Sequence, residues 1–345
     1  MPPAIPRPTM RDVARLAGTS LKTVSRVVND EVGVSPELTA RVEEAVATLG
    51  FRPDERARRL RQSTPKTSTI GFILVDVANP FFSAILRGIE DVAAARNVLV
   101  LSGSTDRSID RERQLIEAFV DRRVDGFIVA ASDPAIASLL PEMERGTPVV
   151  FVDLEPDIEG AVDLVRSDHF GGGRTATAHL VDSGHRHIAF LGDDPRIFSA
   201  RLRFDGYRAA LADARIEPGQ TVAGSFTADE WRSITVDLMT SDDDPPTALF
   251  TAQNFATMGA VHALHGLELQ HRIGLVGFDD IEMAEVLDPG VTVVPQRPDL
   301  LGRSSAELLF DRLDGDTRPA EHIVLAQPII ERGSGEIRPT QATSG

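Results

Sequence analysis

Beyond residue 68 the chain alternates short apolar runs with longer stretches of helical period, and this alternation limits the fold more than any other feature. Residues 70–75, 98–101, 126–130, 149–152, 188–191, 248–251 and 273–278 read as buried strands. Between them, residues 82–96, 111–122, 200–214 and 256–264 repeat their apolar positions at helical spacing. Continuous apolar strands separated by helices predict parallel sheets covered by helices on both faces. About 270 residues exceed one comfortable core, so two α/β lobes are expected. No window is apolar for long enough to make a membrane-spanning helix. The chain has no cysteine, which excludes disulfides and thiolate chemistry and suits the cytosol.

The first 68 residues follow a different pattern. Residues 1–8 hold four prolines and no apolar run, so they read as a tail and not as a signal peptide. Three short helices fit within residues 10–50. Thr9 is placed to cap the first, with Asp12 three residues on in capping-box spacing, and Gly18 ends it. Ser20 is placed to cap a second helix over residues 21–29. Pro36 opens a third, with Leu38, Val42, Ala45 and Leu49 at helical spacing and Gly50 as its stop. Charge separates the two parts further. Residues 1–66 hold 12 Lys and Arg against 8 Asp and Glu, a balance of +4. The remaining 24 basic and 44 acidic residues give −20, and the whole chain −16. A basic end on an acidic body suits contact with polyanionic DNA through that end alone.

On the second helix Val24, Val27 and Val28 form one apolar face. Leu21, Lys22, Ser25, Arg26 and Asn29 lie on the other. That outer face carries the chemistry that reads the major groove. Lys22 or Arg26 can donate to guanine O6 and N7, Leu21 can touch a thymine methyl, and Thr23 and Asn29 can hold phosphates. Periodicity by itself fits an ordinary solvated helix equally well. The wording of the sequence separates the two. TMRDVARLAGTSLKTVSRVVND, followed by VSPELTARVEEAVATLGFRPDERARRL, closely resembles the LacI/GalR family of bacterial transcription regulators. The resemblance implies that operator preference depends mainly on Leu21 and Lys22. Leu38-Thr39 departs from the family's usual Thr-Arg, which puts one phosphate contact in doubt.

Residues 53–61 read as a short fourth helix, with Pro53 suited to its first position and Asp54 and Glu55 to its first turn. A helix this short is unstable alone in water. The resemblance implies that two such segments pair and fold in the minor groove. Leu60 would then be the wedge between base pairs, and Ala57 would allow close approach.

The remainder also resembles that family, whose cores are similar to periplasmic binding proteins of type I. NPFFSAILRGIE, RRVDGFIVA, PVVFVD, SGHRHIAFLG, ARLRFDGYRAAL, TALFTAQNFATMGA and GLVGFDD occur in order. These landmarks fall at strand ends, where open parallel sheets bind ligands. Matched residue by residue, the resemblance implies Phe81, Phe82, Asp153, Arg203, Trp231, Asn254, Asp279 and Gln296 as effector-binding residues in the cleft between lobes. Carboxylates, an arginine and aromatic faces suit a polyol. Asn254 departs from the family's usual Asp, Gln253 from Asn, and Leu154 from Arg, so effector identity does not carry over.

The implied domain plan is a helix-turn-helix domain over residues 9–52, a hinge helix and linker over 53–68, an effector-binding and dimerisation core over 69–338, and a tail over 339–345. The N lobe would take residues 69–166 and 297–325, and the C lobe 167–296 and 326–338. His185 and His187 stand two apart before a strand with no clear third metal ligand, so they read as a structural turn. Gly171–Gly173 lacks the lysine and hydroxyl of a phosphate loop and reads as a helix start. No catalytic constellation is evident, and neither a cofactor nor a metal is expected. The implied partners are a palindromic double-stranded operator, a carbohydrate-like effector and a second copy of the chain. An activator or corepressor-dependent regulator with a nucleoside or other small-molecule effector is the alternative, and a solute-binding module a distant one.

Overall fold

The computed structural model describes residues 8–29, 31, 33–51, 67–130, 137–156, 161–240 and 244–340. The chain divides into two compact units, residues 1–67 and 68–345. In the first unit α1 (Met10–Leu16), α2 (Leu21–Val28) and α3 (Pro36–Leu49) begin on side-chain caps. Thr9 and Asp12 complete a reciprocal capping box, with Thr9 N–H donating to Asp12 Oδ2 at 2.9 Å. Ser20 Oγ accepts from Thr23 N–H at 3.1 Å, and Ser35 caps the helix opened by Pro36. Gly18 and Gly50 turn the chain out of α1 and α3 at φ 61° and 60°, the left-handed region that favours glycine. Val13, Ala14, Ala17, Val24, Val42, Ala45 and Phe51 close one small core.

The second unit is built on two sheets, and every ladder in them is parallel. The first sheet takes β1 (Thr69–Leu74), β2 (Leu99–Ser104), β3 (Phe127–Val129), β4 (Val149–Val152), β5 (Asp163–Ser167) and, far along the chain, β11 (His322–Leu325), in the order β11-β5-β4-β3-β1-β2. The second takes β6 (Ile188–Gly192), β7 (Thr221–Ala223), β8 (Ala248–Thr251), β9 (Gly274–Phe278) and β10 (Thr292–Val294), in the order β10-β9-β8-β6-β7. α4 (Pro80–Ala95), α5 (Ile109–Asp121), α6 (Leu140–Glu144) and α11 (Pro298–Leu313) belong to the first lobe. α7 (His169–Asp182), α8 (Phe198–Asp213), α9 (Ala228–Thr240) and α10 (Asn254–Gly266) belong to the second. Each sheet has apolar clusters on both faces, as helix-covered parallel strands require.

β7 and β10 have three residues each, too few to show a period in the sequence. The chain leaves the first lobe after β5, returns for α11 and β11, and leaves again to place Ile330 against Val293. α7 and α8 approach closely through a glycine on each helix. A Cβ at Gly173 on α7 would overlap the carbonyl of Arg203 on α8, and one at Gly206 would overlap the carbonyl of Phe170. Gly171–Gly173 thus lies at the start of α7, and Gly173 serves the packing against α8.

Candidate functional site

α2 presents the outer face that its sequence implies. Val24 is fully buried against α1, and Val27 and Val28 pack beside it. Leu21 and Lys22 stand exposed at the start of the helix. Thr23 Oγ1 shares a hydrogen bond with Ser20 Oγ at 2.9 Å. Ser25 and Asn29 are linked at 3.3 Å, and Arg26 reaches towards Glu31 at 3.7 Å. Leu21 and Lys22 are therefore the outward groups least committed to their own unit. Ala57 and Leu60 lie outside the described residues.

In the second unit the polar candidates gather where the strands end. Asp153 follows β4 and Asp279 follows β9. Both take a left-handed backbone, at φ 65° and 72°, which aspartate tolerates better than most residues. Each N–H donates to the neighbouring strand, Asp153 to Val165 O at 2.9 Å and Asp279 to Val294 O at 3.1 Å. The same turn in both lobes presents a carboxylate just beyond a strand end. Gln296 Nε2 donates to Asp279 Oδ1 at 2.6 Å.

Arg203 joins these groups. Its guanidinium lies 4.0 Å from the centre of the Phe278 ring. Nη1 donates to Ala252 O at 2.8 Å, and Nε donates to His169 Nδ1 at 3.3 Å. Because Nδ1 accepts, the proton of a neutral His169 sits on Nε2, which lies 3.1 Å from Asp153 Oδ1. Burial holds the fully enclosed His169 below its ordinary value and so keeps the ring neutral. Burial alone would push Asp153 up, but His169, Arg203 and Arg166 outweigh it and hold the carboxyl below the usual range. Burial pushes Asp279 up, and also Asp193 beyond β6, against the pull of nearby arginines. Gln296 Oε1, Asp193 Oδ1 and Arg166 Nε are buried without a hydrogen-bond partner. Such groups are costly unless something satisfies them.

Phe81 and Phe82 meet edge to face at 5.1 Å in the first turn of α4, half-buried against the first lobe's core. Asn254 opens α10, and its Nδ2 donates to Asn79 Oδ1 at 2.9 Å. Trp231 requires a correction. It is fully buried in the second lobe's core among Leu249, Leu275 and Val293. With Thr235 and Met239 it forms the buried stripe of α9 at i, i+4, i+8, a spacing readable in the sequence. The aromatic at the strand end is Phe226, three residues past β7, half-buried and edge to face with Trp231 at 5.0 Å. Sequence reasoning also missed His169, Asp193 and Asn79. His169 gave no signal beyond lying near Asp168, the cap of α7. His185 and His187 are held by protein: His185 by Thr247 Oγ1 at 3.0 Å and Ile337 O at 2.8 Å, His187 by Gln220 at 2.8 Å.

A capped three-helix unit with a polar outward face on α2, together with a two-lobed α/β unit, defines the class of DNA-binding regulators. The family model for bacterial regulatory proteins of the lacI family matches residues 9–54, and a periplasmic binding protein-like domain matches residues 177–335. The ribose operon repressor of Escherichia coli is 34% identical, over 94% of this chain and 99% of that protein. The structure of the lac repressor dimer bound to operator and the anti-inducer ONPF superposes with a TM-score of 0.85 at 28% identity, over 96% of this chain and 99% of that one. A LacI family transcriptional regulator from Enterococcus faecium with bound ribose gives 0.69 at 29% identity, over 79% of this chain and all of that one. The chain belongs to the LacI family of bacterial regulatory proteins. It is a DNA-binding transcription regulator. Among the described residues no helix is long and apolar enough to cross a membrane.

Proposed function

We propose that the chain represses carbohydrate-utilisation genes in the cytoplasm, binding a palindromic operator as a homodimer and releasing it when a sugar occupies the cleft. In this reading residues 9–52 bind DNA, 53–68 form the hinge helix and linker, and 69–338 form the effector-binding and dimerisation core. Leu21 and Lys22 read bases. Phe81, Phe82, Asp153, Arg203, Asn254, Asp279 and Gln296 contact the effector, with Phe226 in the stacking role first given to Trp231.

One observation carries the effector assignment. Acceptors at Gln296 Oε1 and Asp193 Oδ1 and a donor at Arg166 Nε are buried without a hydrogen-bond partner near the Asp153–His169–Arg203–Asp279 cluster; the nearest ion pairs of Asp193 and Arg166 are long, at 3.8 and 3.9 Å. A ligand rich in hydroxyl groups satisfies acceptors and donors together. The ribose operon repressor and the ribose-bound regulator are relatives of this chain, and D-ribose is accordingly the first probe. The chain acts by binding alone.

The test is a thermal-shift screen of pentoses, hexoses and nucleosides, followed by operator titration with each stabilising compound. A sugar at ~100 times its dissociation constant adds about 2.7 kcal/mol of stability and lowers operator affinity. Stabilisation by nucleosides alone, tighter operator binding with the sugar, or turnover of the sugar contradicts the proposal.

A further inference from the structure

Some of the polar groups at the cleft are committed to each other across it. Asn79 caps α4 in the first lobe, and Asn254 is the first residue of α10 in the second. Asn254 Nδ2 donates to Asn79 Oδ1 at 2.9 Å. Backbone groups fix both amides. Asn79 Oδ1 also accepts from Phe81 N–H at 3.0 Å, and Asn254 Oδ1 accepts from Phe255 N–H at 2.9 Å. Flipping either amide would set one N–H against another. A chain of hydrogen bonds therefore ties the first turn of one helix to the first turn of the other. Asp153 Oδ1 and His169 Nε2, 3.1 Å apart, also meet across the lobes, His169 two residues after the chain leaves β5. A further contact, Arg107 to Asp193 at 3.8 Å, spans them as well. It is long and its arginine half-exposed, so it contributes little.

We infer that Asn79 and Asn254 form a latch made of protein alone, which holds the two lobes closed and sets the equilibrium on which an effector acts. Residue type at 254 is decisive. Asn254 is 8% exposed, so its amide is shielded from water and its one cross-lobe partner counts. An aspartate there would place two acceptors face to face. Asn79 could then donate only by turning its oxygen away from Phe81 N–H, leaving the first turn of α4 uncapped. The latch also takes Asn254 Nδ2 out of ligand recognition unless the ligand displaces Asn79. A net hydrogen bond of this kind biases a two-state equilibrium by roughly two- to tenfold. The inference rests on the reading of the cleft as the effector site, but the latch itself is measured without effector or DNA.

The test is the interlobe distance in the full chain, measured by pulsed electron spin resonance. The chain has no cysteine, so Glu117→Cys on α5 and Asp237→Cys on α9, both exposed, label one site in each lobe. Dilution with unlabelled chain isolates the distance within one protomer. Asn79→Asp keeps the acceptor for both Phe81 N–H and Asn254. Asn254→Asp keeps the acceptor for Phe255 N–H and loses only the donor. Both variants retain helix-start chemistry, and thermal melting checks that they fold. The parent and Asn79→Asp are expected to share one short distance. Asn254→Asp is expected to raise the population at longer distance roughly two- to tenfold, and Asn79→Asp with Asn254→Asp, which opposes two carboxylates, to raise it further. An unchanged distribution in Asn254→Asp, or equal opening by Asn79→Asp alone, overturns the latch. Absence of any sugar effect on operator binding would overturn the proposed function and leave the latch standing.

Discussion

Arg203 is held at three points, and each bears on the acids around it. The Phe278 ring carries its face, Ala252 O takes one N–H, and His169 takes another. The last bond puts the histidine proton towards Asp153. Removing the arginine leaves Asp153 and Asp279 buried without their shared cation, which costs about 3–5 kcal/mol. Urea unfolding of Arg203→Ala measures it; a loss within the range of surface substitutions would mean that the carboxylates do not depend on this side chain. His185 supplies a pH test. Burial holds its imidazole below the ordinary value of 6.5. A histidine depressed by folding adds stability above 6.5, and that stability is lost as pH falls below it. His185→Gln keeps a donor for Ile337 O and removes the titration. The difference in unfolding free energy between parent and variant should therefore shrink below pH 6.5, with a slope of up to about 1.4 kcal/mol per pH unit. Parallel curves for the two proteins down to about pH 5 would contradict the buried neutral assignment.

At the scale of elements, α7 and α8 set the position of the site. Their close crossing at Gly173 and Gly206 fixes Arg203 against His169. Gly206→Ala forces the helices apart and costs about 1–3 kcal/mol. Gly266→Ala, at the end of α10 with nothing within 4 Å of an added Cβ, is the control and gains up to about 1 kcal/mol from helix propensity. Calorimetric melting of both variants separates packing from propensity; equal melting temperatures would remove the crossing as the cause. The elements were unevenly legible in sequence. Long helices and strands such as β1, β6 and β9 declared themselves, because five or six apolar residues bounded by turn residues carry a clear signal. β5, with Asp163 and Arg166 within it, and the three-residue β7 and β10 did not. Capping residues fixed the starts of α1 to α3 because cap chemistry is local.

For the whole molecule, the two-sheet architecture followed from strand–helix alternation, whereas the crossing points between lobes came only from the family resemblance. They depend on pairing between β11 and β5, strands more than 150 residues apart, which no local pattern encodes. The site followed the same rule. Arg203 and Asp279 stood in family-like motifs, and folding brings them together with Asp153 and His169. His169 and Asn79 became visible only when folding brought Arg203 and Asn254 to them. Trp231 misled because it is the one tryptophan, and its helix phase, which marks it as core, was given less weight than its chemistry.

Selection of operators from random duplex DNA by the purified full chain tests the central claim, sequence-specific DNA binding through the headpiece, most directly. An inverted repeat with a central pyrimidine–purine step is the predicted result, as expected for two headpieces related by a two-fold axis with hinge segments in the minor groove between them. Substitution of Leu21 or Lys22 should shift the bases selected in each half-site and leave the two-fold symmetry intact, at about 1–3 kcal/mol per altered base contact. No enriched sequence, or an enriched site that is not an inverted repeat, would contradict the account.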